Sequence, residues 1–306
     1  MTAPGGPAPF VDLHMHSTAS DGSRAPADVV RAAAKAKLAA IALTVFTLPA
    51  FAGKGGSNAK IVAAVHSGST DAIIAEVERA EGLVCDDCIQ TVTNLTEDNR
   101  FAVREVAAWW FAKRPGLAKV MGDGFKADLV SGDSIHVRNA ADFLGAVVDY
   151  TALPALRQAI ARTGLTPEAK LAIVGAVGYL KHIDGNGILL TAMNDSDAGV
   201  RVAAINAWRD VLGQVSVTPL ESKLADGDAK VRAAAATVLG AYGDRNATSS
   251  LEQLVISDTD PFVRRNAAWA LGQIGSKDAA GALMQATGDK SGLVRLVAKA
   301  SLASLR

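Results

Sequence analysis

Apolar positions recur with helical spacing along most of this chain, and the whole pattern returns at a nearly constant interval. The dipeptides Val103-Arg104, Val137-Arg138, Ala169-Lys170, Val200-Arg201, Val231-Arg232, Val263-Arg264 and Val294-Arg295 follow one another at spacings of 34, 32, 31, 31, 32 and 31 residues. A fixed period in this range is the signature of stacked helix pairs. Four places after each start stands Ala107, Ala141, Ala204, Ala235, Ala267 or Ala298, with Ile173 in the odd copy. At the eighth place a bulkier apolar residue is usual: Phe111, Val177, Trp208, Leu239, Leu271, Leu302. Offsets 0, 4 and 8 share one helical face, so each segment predicts the second helix of a pair with this stripe buried. Three places before the start, Ser134, Thr166, Asp197, Asp228, Asp260 and Ser291 are suited to cap those helices, while Arg100 breaks the rule. Pro167 and Pro261 fit the first helical position, where a missing N–H costs nothing.

The opposite face of the same helices is not polar. Offsets 2 and 6 lie at about 200° and 240° from the start of the stripe. They carry Leu171, Val202 and Leu296 at the first offset and Trp109, Phe143 and Trp269 at the second. Apolar and aromatic side chains on an outward face predict a surface for a protein or peptide partner.

Composition narrows the picture. The 306 residues carry no formal net charge, so no global basic field draws in nucleic acid. The two cysteines, Cys85 and Cys88, form a single CxxC. A redox role would need a thioredoxin-like βαβ context, and the neighbours are helical repeats, so the expected role is a local disulfide at the first turn of a helix. Residues 35–52 add a different signal. Lys35 and Lys37 precede an apolar run, Leu38–Leu48, then Pro49 and Ala50-Phe51-Ala52. That order describes a secretory signal cleaved after Ala52, although 34 residues precede it. The run is too short to span a bilayer comfortably. The mature chain is therefore expected to lack a stable membrane span and to be periplasmic or secreted, or cytoplasmic if this signal does not work.

"DTDPFVRRNAAWALGQIG" (258–275) and "DGDAKVRAAAATVLGAYG" (226–243) resemble HEAT repeats of the short bacterial, phycobilisome-lyase HEAT-like type. The resemblance covers roughly residues 57–306. It implies an all-α, right-handed solenoid of about seven or eight helix pairs, whose second helices line a concave binding face. It also implies a charge ladder between repeats, from Asp195, Asp226, Asp258 and Asp289 to the basic residues after valine.

Residues 11–44, beginning "VDLHMHSTASDG", resemble the truncated start of a PHP (polymerase and histidinol phosphatase) domain, a metal-dependent phosphoesterase family. In that resemblance His14 and His16 supply divalent-metal ligands and Asp21 follows in the SDG segment. The Asp-His pair that the family places after its second strand is replaced here by Val45-Phe46-Thr47.

Three functions are consistent with these features. The first is a non-catalytic, exported protein-binding scaffold that needs no cofactor. The second is a PHP-type phosphoesterase remnant fused to the repeats. The third is a HEAT-type lyase or hydroxylase; the hydroxylases of that family place His-Glu pairs on successive helices, and this chain has no His-Glu dipeptide. Motifs for a nucleophile elbow, a P-loop and a zincin are absent.

Overall fold

The computed structural model describes residues 58–305, apart from Val84, Gln214 and Val215. The segments 1–44 and 35–52 lie outside the described residues. Among the described residues there are sixteen α-helices and no strand. They form consecutive pairs: α1 (Ala59–Ser67) with α2 (Thr70–Arg79), α3 (Asp86–Leu95) with α4 (Phe101–Ala112), and α5 (Pro115–Ser131) with α6 (Ser134–Ala146). Then come α7 (Leu153–Ile160) with α8 (Pro167–Leu180), α9 (Asn186–Ala192) with α10 (Ala198–Asp210), and α11 (Thr218–Glu221) with α12 (Ala229–Tyr242). The last two pairs are α13 (Thr248–Ser257) with α14 (Pro261–Ile274) and α15 (Ala280–Ala286) with α16 (Gly292–Ser304). Each second helix packs on the second helix of the next pair, from α2 through to α16. The result is an α-solenoid.

Local chemistry sets the helix limits. Thr166, Asp197, Asp228 and Asp260 cap α8, α10, α12 and α14 by accepting backbone N–H bonds in the first turn. Pro167 and Pro261 open their helices. At the other end, Gly243 and Gly275 take the left-handed conformation (φ 67° and 70°) that stops α12 and α14. Two expected caps differ. Ser291 stands at the N-cap of α16 without a side-chain cap bond. The cap of α6 is Asp133, not Ser134; Ser134 instead uses its Oγ to accept from Thr166 N at 3.0 Å.

The predicted stripe is the core. The starting residues Val103, Val200, Val231, Val263 and Val294 are fully buried, as are the alanines four places on. Each buried valine contributes about 1.5–3 kcal/mol by leaving water. Glycine lets the second helices meet backbone to backbone. A Cβ on Gly240 would lie 2.6 Å from Ala270 Cα, and one on Gly145 would lie 2.7 Å from Ala176 Cα.

That glycine also fixes the register of α6. In α12 and α14 the leucine-glycine pair falls at offsets 8 and 9, whereas Leu144-Gly145 falls there only if α6 is counted from His136. The cap agrees, because Asp133 accepts from Ile135 N and His136 N as Asp260 accepts from Phe262 N and Val263 N. So does the next turn, where Arg138 donates to Asn139 as Arg265 donates to Asn266. The spacings around this repeat are then 33 and 33 rather than 34 and 32.

Cys85 and Cys88 are joined as a disulfide at the N-terminus of α3, and both are buried. The turn leading into them is held from α4. Arg114 stacks on Trp110, 3.5 Å from the ring centroid, and donates to the carbonyls of Glu81 (2.7 Å) and Ala80 (3.3 Å). A double Cys85→Ser/Cys88→Ser variant is expected to lose about 2 kcal/mol, the chain-entropy value for so short a loop. Urea unfolding followed by circular dichroism measures it.

Candidate functional site

The charge ladder runs through the C-terminal repeats. Lys170 pairs with Asp195 (2.6 Å), Arg201 with Asp226 (2.8 Å), Arg232 with Asp258 (2.7 Å) and Arg264 with Asp289 (2.7 Å). Each arginine grips the next aspartate with both Nε and Nη2, and its Nη1 bonds carbonyls in the turn of its own repeat. Each aspartate also accepts from the backbone N–H two residues on. One turn is thereby tied to the next by charge-assisted bonds.

Burial is the largest influence on Asp195, Asp226 and Asp258 and pushes their carboxyls up. The bonds from the basic side chain and the backbone together outweigh it and hold them below the usual range. For Asp289 the bond from Arg264 leads, and the carboxyl is again lowered. A carboxyl lowered on folding stabilises the fold above its unfolded value, about 3.9, and loses that contribution as pH falls through the folded value. The ladder is thus expected to be at full strength at neutral pH, and thermal stability to fall as the solution is acidified below about pH 4. A series of melting curves against pH checks this.

Upstream the ladder stops. The matching carboxylate positions before α6 and α8 hold Ser131 and Gly164. Arg104, only 5% exposed, turns instead to Asp142 of α6, donating from Nε (2.9 Å) and Nη2 (2.6 Å) to Oδ2. Burial pushes the Asp142 carboxyl up against the lowering pull of Arg104. Beside them Tyr179 of α8 reaches across α6 and donates to Glu105 of α4 at 2.5 Å. Burial first, and then this bond, push the Tyr179 phenol up to about 12, so it stays a donor at neutral pH. Glu105, Asp142 and Tyr179 therefore share one face of the second-helix row. Periodicity did not reveal them; the missing carboxylates at residues 131 and 164 were the available signal.

The same face carries most of the predicted partner residues. Leu296 is 65% exposed and Leu171 is exposed. Trp109, Val202 and Trp269 are half-buried between neighbouring helices, and Lys113 lies over the Trp109 ring at 5.3 Å. Phe143 does not belong with them. It is 2% exposed, packed against Phe125 (4.6 Å) and Phe111 (5.8 Å). Counting α6 from Val137 was one residue late, which turns a helix by about 100°. In the observed register Phe143 sits at offset 7, facing the core, and Arg138 and Asp142 take the outward places.

His14, His16 and Asp21 lie outside the described residues. Among the described residues no group of three or more His, Cys, Asp or Glu side chains could hold a metal ion. No described helix is long and apolar enough to cross a membrane.

A family model for HEAT repeats matches residues 217–303. The solved structure of YibA from Escherichia coli superposes with a TM-score of 0.53 at 13% identity, over 81% of this chain and 92% of that one. At that identity the likeness is one of fold, and it extends the solenoid well beyond the matched HEAT repeats. Two further solved structures align at 19% identity. Human deoxyhypusine hydroxylase in complex with glycerol gives a TM-score of 0.36, over 81% of this chain and 96% of that one. The complex of CpcE and CpcF of phycocyanin lyase from Nostoc sp. PCC7120 gives 0.38, over 71% and 94%. No curated protein matches the chain in sequence.

Proposed function

We propose that this chain is a non-catalytic scaffold that binds a protein or peptide along the concave face of its second-helix row. The observation that carries the reading is the series Trp109, Leu171, Val202, Trp269 and Leu296. Each sits at one of two outward positions, offset 2 or offset 6, on packed second helices and keeps solvent access. Aromatic side chains that remain partly open at fixed places on a rigid array are suited to be binding anchors. The HEAT repeats of residues 217–303 support it, since arrays of this kind offer extended binding surfaces.

The scaffold works outside the cytoplasm. The signal-like run at residues 35–52 supports export, and the buried Cys85–Cys88 bridge suits an oxidising compartment.

The test is a Trp109→Ala/Trp269→Ala variant of the full chain, compared with wild type for retention of partners recovered from the native cell. Loss of at least one anchor contact should weaken binding about tenfold or more, since hot-spot tryptophans are worth 2 kcal/mol or more. Unchanged retention would exclude these tryptophans as anchors.

A further inference from the structure

A repeat array is held together joint by joint, because each helix pair touches only its neighbours. The joints of this solenoid are not built alike. At the ninth place after the starting residue, α6, α12 and α14 carry glycine, and there the next second helix comes to backbone distance. A Cβ on Gly145 would lie 2.7 Å from Ala176 Cα, one on Gly240 2.6 Å from Ala270 Cα, and one on Gly272 3.0 Å from Ser301 Cα. Gly178 holds the same place on α8, yet a Cβ there meets nothing within 4 Å, so α10 stands further off. On α10 that place is taken by the exposed Arg209.

Bonds between the helices repeat the division. Arg104–Asp142 ties α4 to α6, and the Tyr179–Glu105 bond spans α6 to join α8 to α4. Further along, Asn266 of α14 donates to Ala233 O (3.2 Å) and Thr237 Oγ1 (3.0 Å) of α12, and Ser304 of α16 donates to Gly272 O of α14 (3.4 Å).

The charge ladder is weakest at the same step. Arg201, Arg232 and Arg264 each grip an aspartate with two nitrogens and their own turn with a third. At the α8–α10 joint the rung is Lys170, which reaches Asp195 through its one nitrogen (2.6 Å). A lysine is a point charge and cannot supply the planar fork. Two further bonds across this joint are single as well: Leu212 N to Lys181 O (2.9 Å) and Arg157 Nη2 to Asp184 O (2.9 Å). The α10–α12 joint also lacks a close glycine but keeps a full arginine rung, Arg201–Asp226.

We infer that the α8–α10 joint is a hinge between two stiffer sections, α4–α8 and α12–α16, with α10 carried on the second by its arginine rung. A hinge forms where few contacts resist rotation, and this joint has neither the close backbone approach nor the bidentate rung. The core is continuous across it, since Ile173, Val177, Val200 and Trp208 are each at most 2% exposed. The joint therefore flexes without coming apart. Trp109 stands on one section and Trp269 on the other, so bending here sets the span and curvature of the outward face.

Distances between paired spin labels on the full chain, without a partner, test the hinge. Labels on introduced ketone amino acids leave the Cys85–Cys88 bridge intact. Gly175 and Ala300 hold the same place on α8 and α16, and each is two second helices away from the exposed Ala241 of α12. The Gly175–Ala241 pair crosses the α8–α10 joint and the Ala241–Ala300 pair does not. The expected distance distribution is at least about twofold wider for the first pair than for the second. Lys170→Arg, which supplies the missing nitrogens to Asp195, should narrow the first and leave the second unchanged. Circular dichroism verifies that each labelled chain is folded. Equal widths in the two pairs would overturn the inference. A wide first pair that Lys170→Arg does not narrow would overturn it as well, by placing the freedom outside this joint.

Discussion

Replacing Asp142 by alanine is expected to lower the unfolding free energy by about 3–5 kcal/mol, the cost of stranding a buried charge. Arg104 is almost wholly buried, and two of its nitrogens are spent on one Asp142 oxygen. Its remaining bonds, to the carbonyls of Asp98 (2.7 Å) and Asn99 (3.0 Å), are made by Nη1 and do not neutralise it. Truncating the carboxylate therefore leaves a buried guanidinium without its ion-pair partner and with little access to water. Removing both partners is a different matter, because well-packed apolar replacements of a buried pair are often neutral. An Arg104→Met/Asp142→Leu protein should recover most of the loss. Urea titrations of the single and double variants measure both quantities, and a single-variant loss under about 1 kcal/mol would show that water reaches Arg104.

Gly240→Ala should cost about 2–3 kcal/mol, which is the scale of overpacking in a filled core. The new methyl would meet Ala270 at Cα (2.6 Å) and Cβ (2.7 Å). Neither is the end of a flexible side chain, so α12 and α14 themselves must part. Gly281 in α15 is the internal control, since a Cβ there meets nothing within 4 Å. Gly281→Ala should gain up to about 1 kcal/mol, as alanine is the better helix former. Opposite signs for two identical substitutions, read by thermal denaturation, would separate close helix approach from helix propensity.

Much of the solenoid is legible in the sequence because its repeats restate one local rule. Cap, valine, alanine and leucine fall at fixed places, and where Asp197, Asp228 and Asp260 supply the cap the helix begins as expected. The α6 repeat shows where that reading fails. His136-Val137-Arg138 contains the same dipeptide one residue late, and a helix has no alternation to expose the slip. The leucine-glycine pair at 144–145 carries the correct register in the sequence, and the contact of Gly145 with Ala176 and the cap from Asp133 settle it. The outward places of Trp109 and Trp269 follow from period alone, since a residue's angle on a helix follows from its number. The Arg104–Asp142 pair and the Tyr179–Glu105 bond do not, because they join residues 38 and 74 positions apart through the stacking of helices.

Site-directed photo-crosslinking in the native cell tests the central claim most directly, with a benzophenone amino acid placed at one residue at a time. Asn206 and Thr237 lie between the two tryptophans on the outward face of the second helices, while Ile256 and Met284 are exposed on the first helices. The account predicts that Asn206 and Thr237 crosslink to a common protein partner and that Ile256 and Met284 do not. Crosslinks to a partner from Ile256 and Met284 alone would place the working surface on the other side of the solenoid and contradict it.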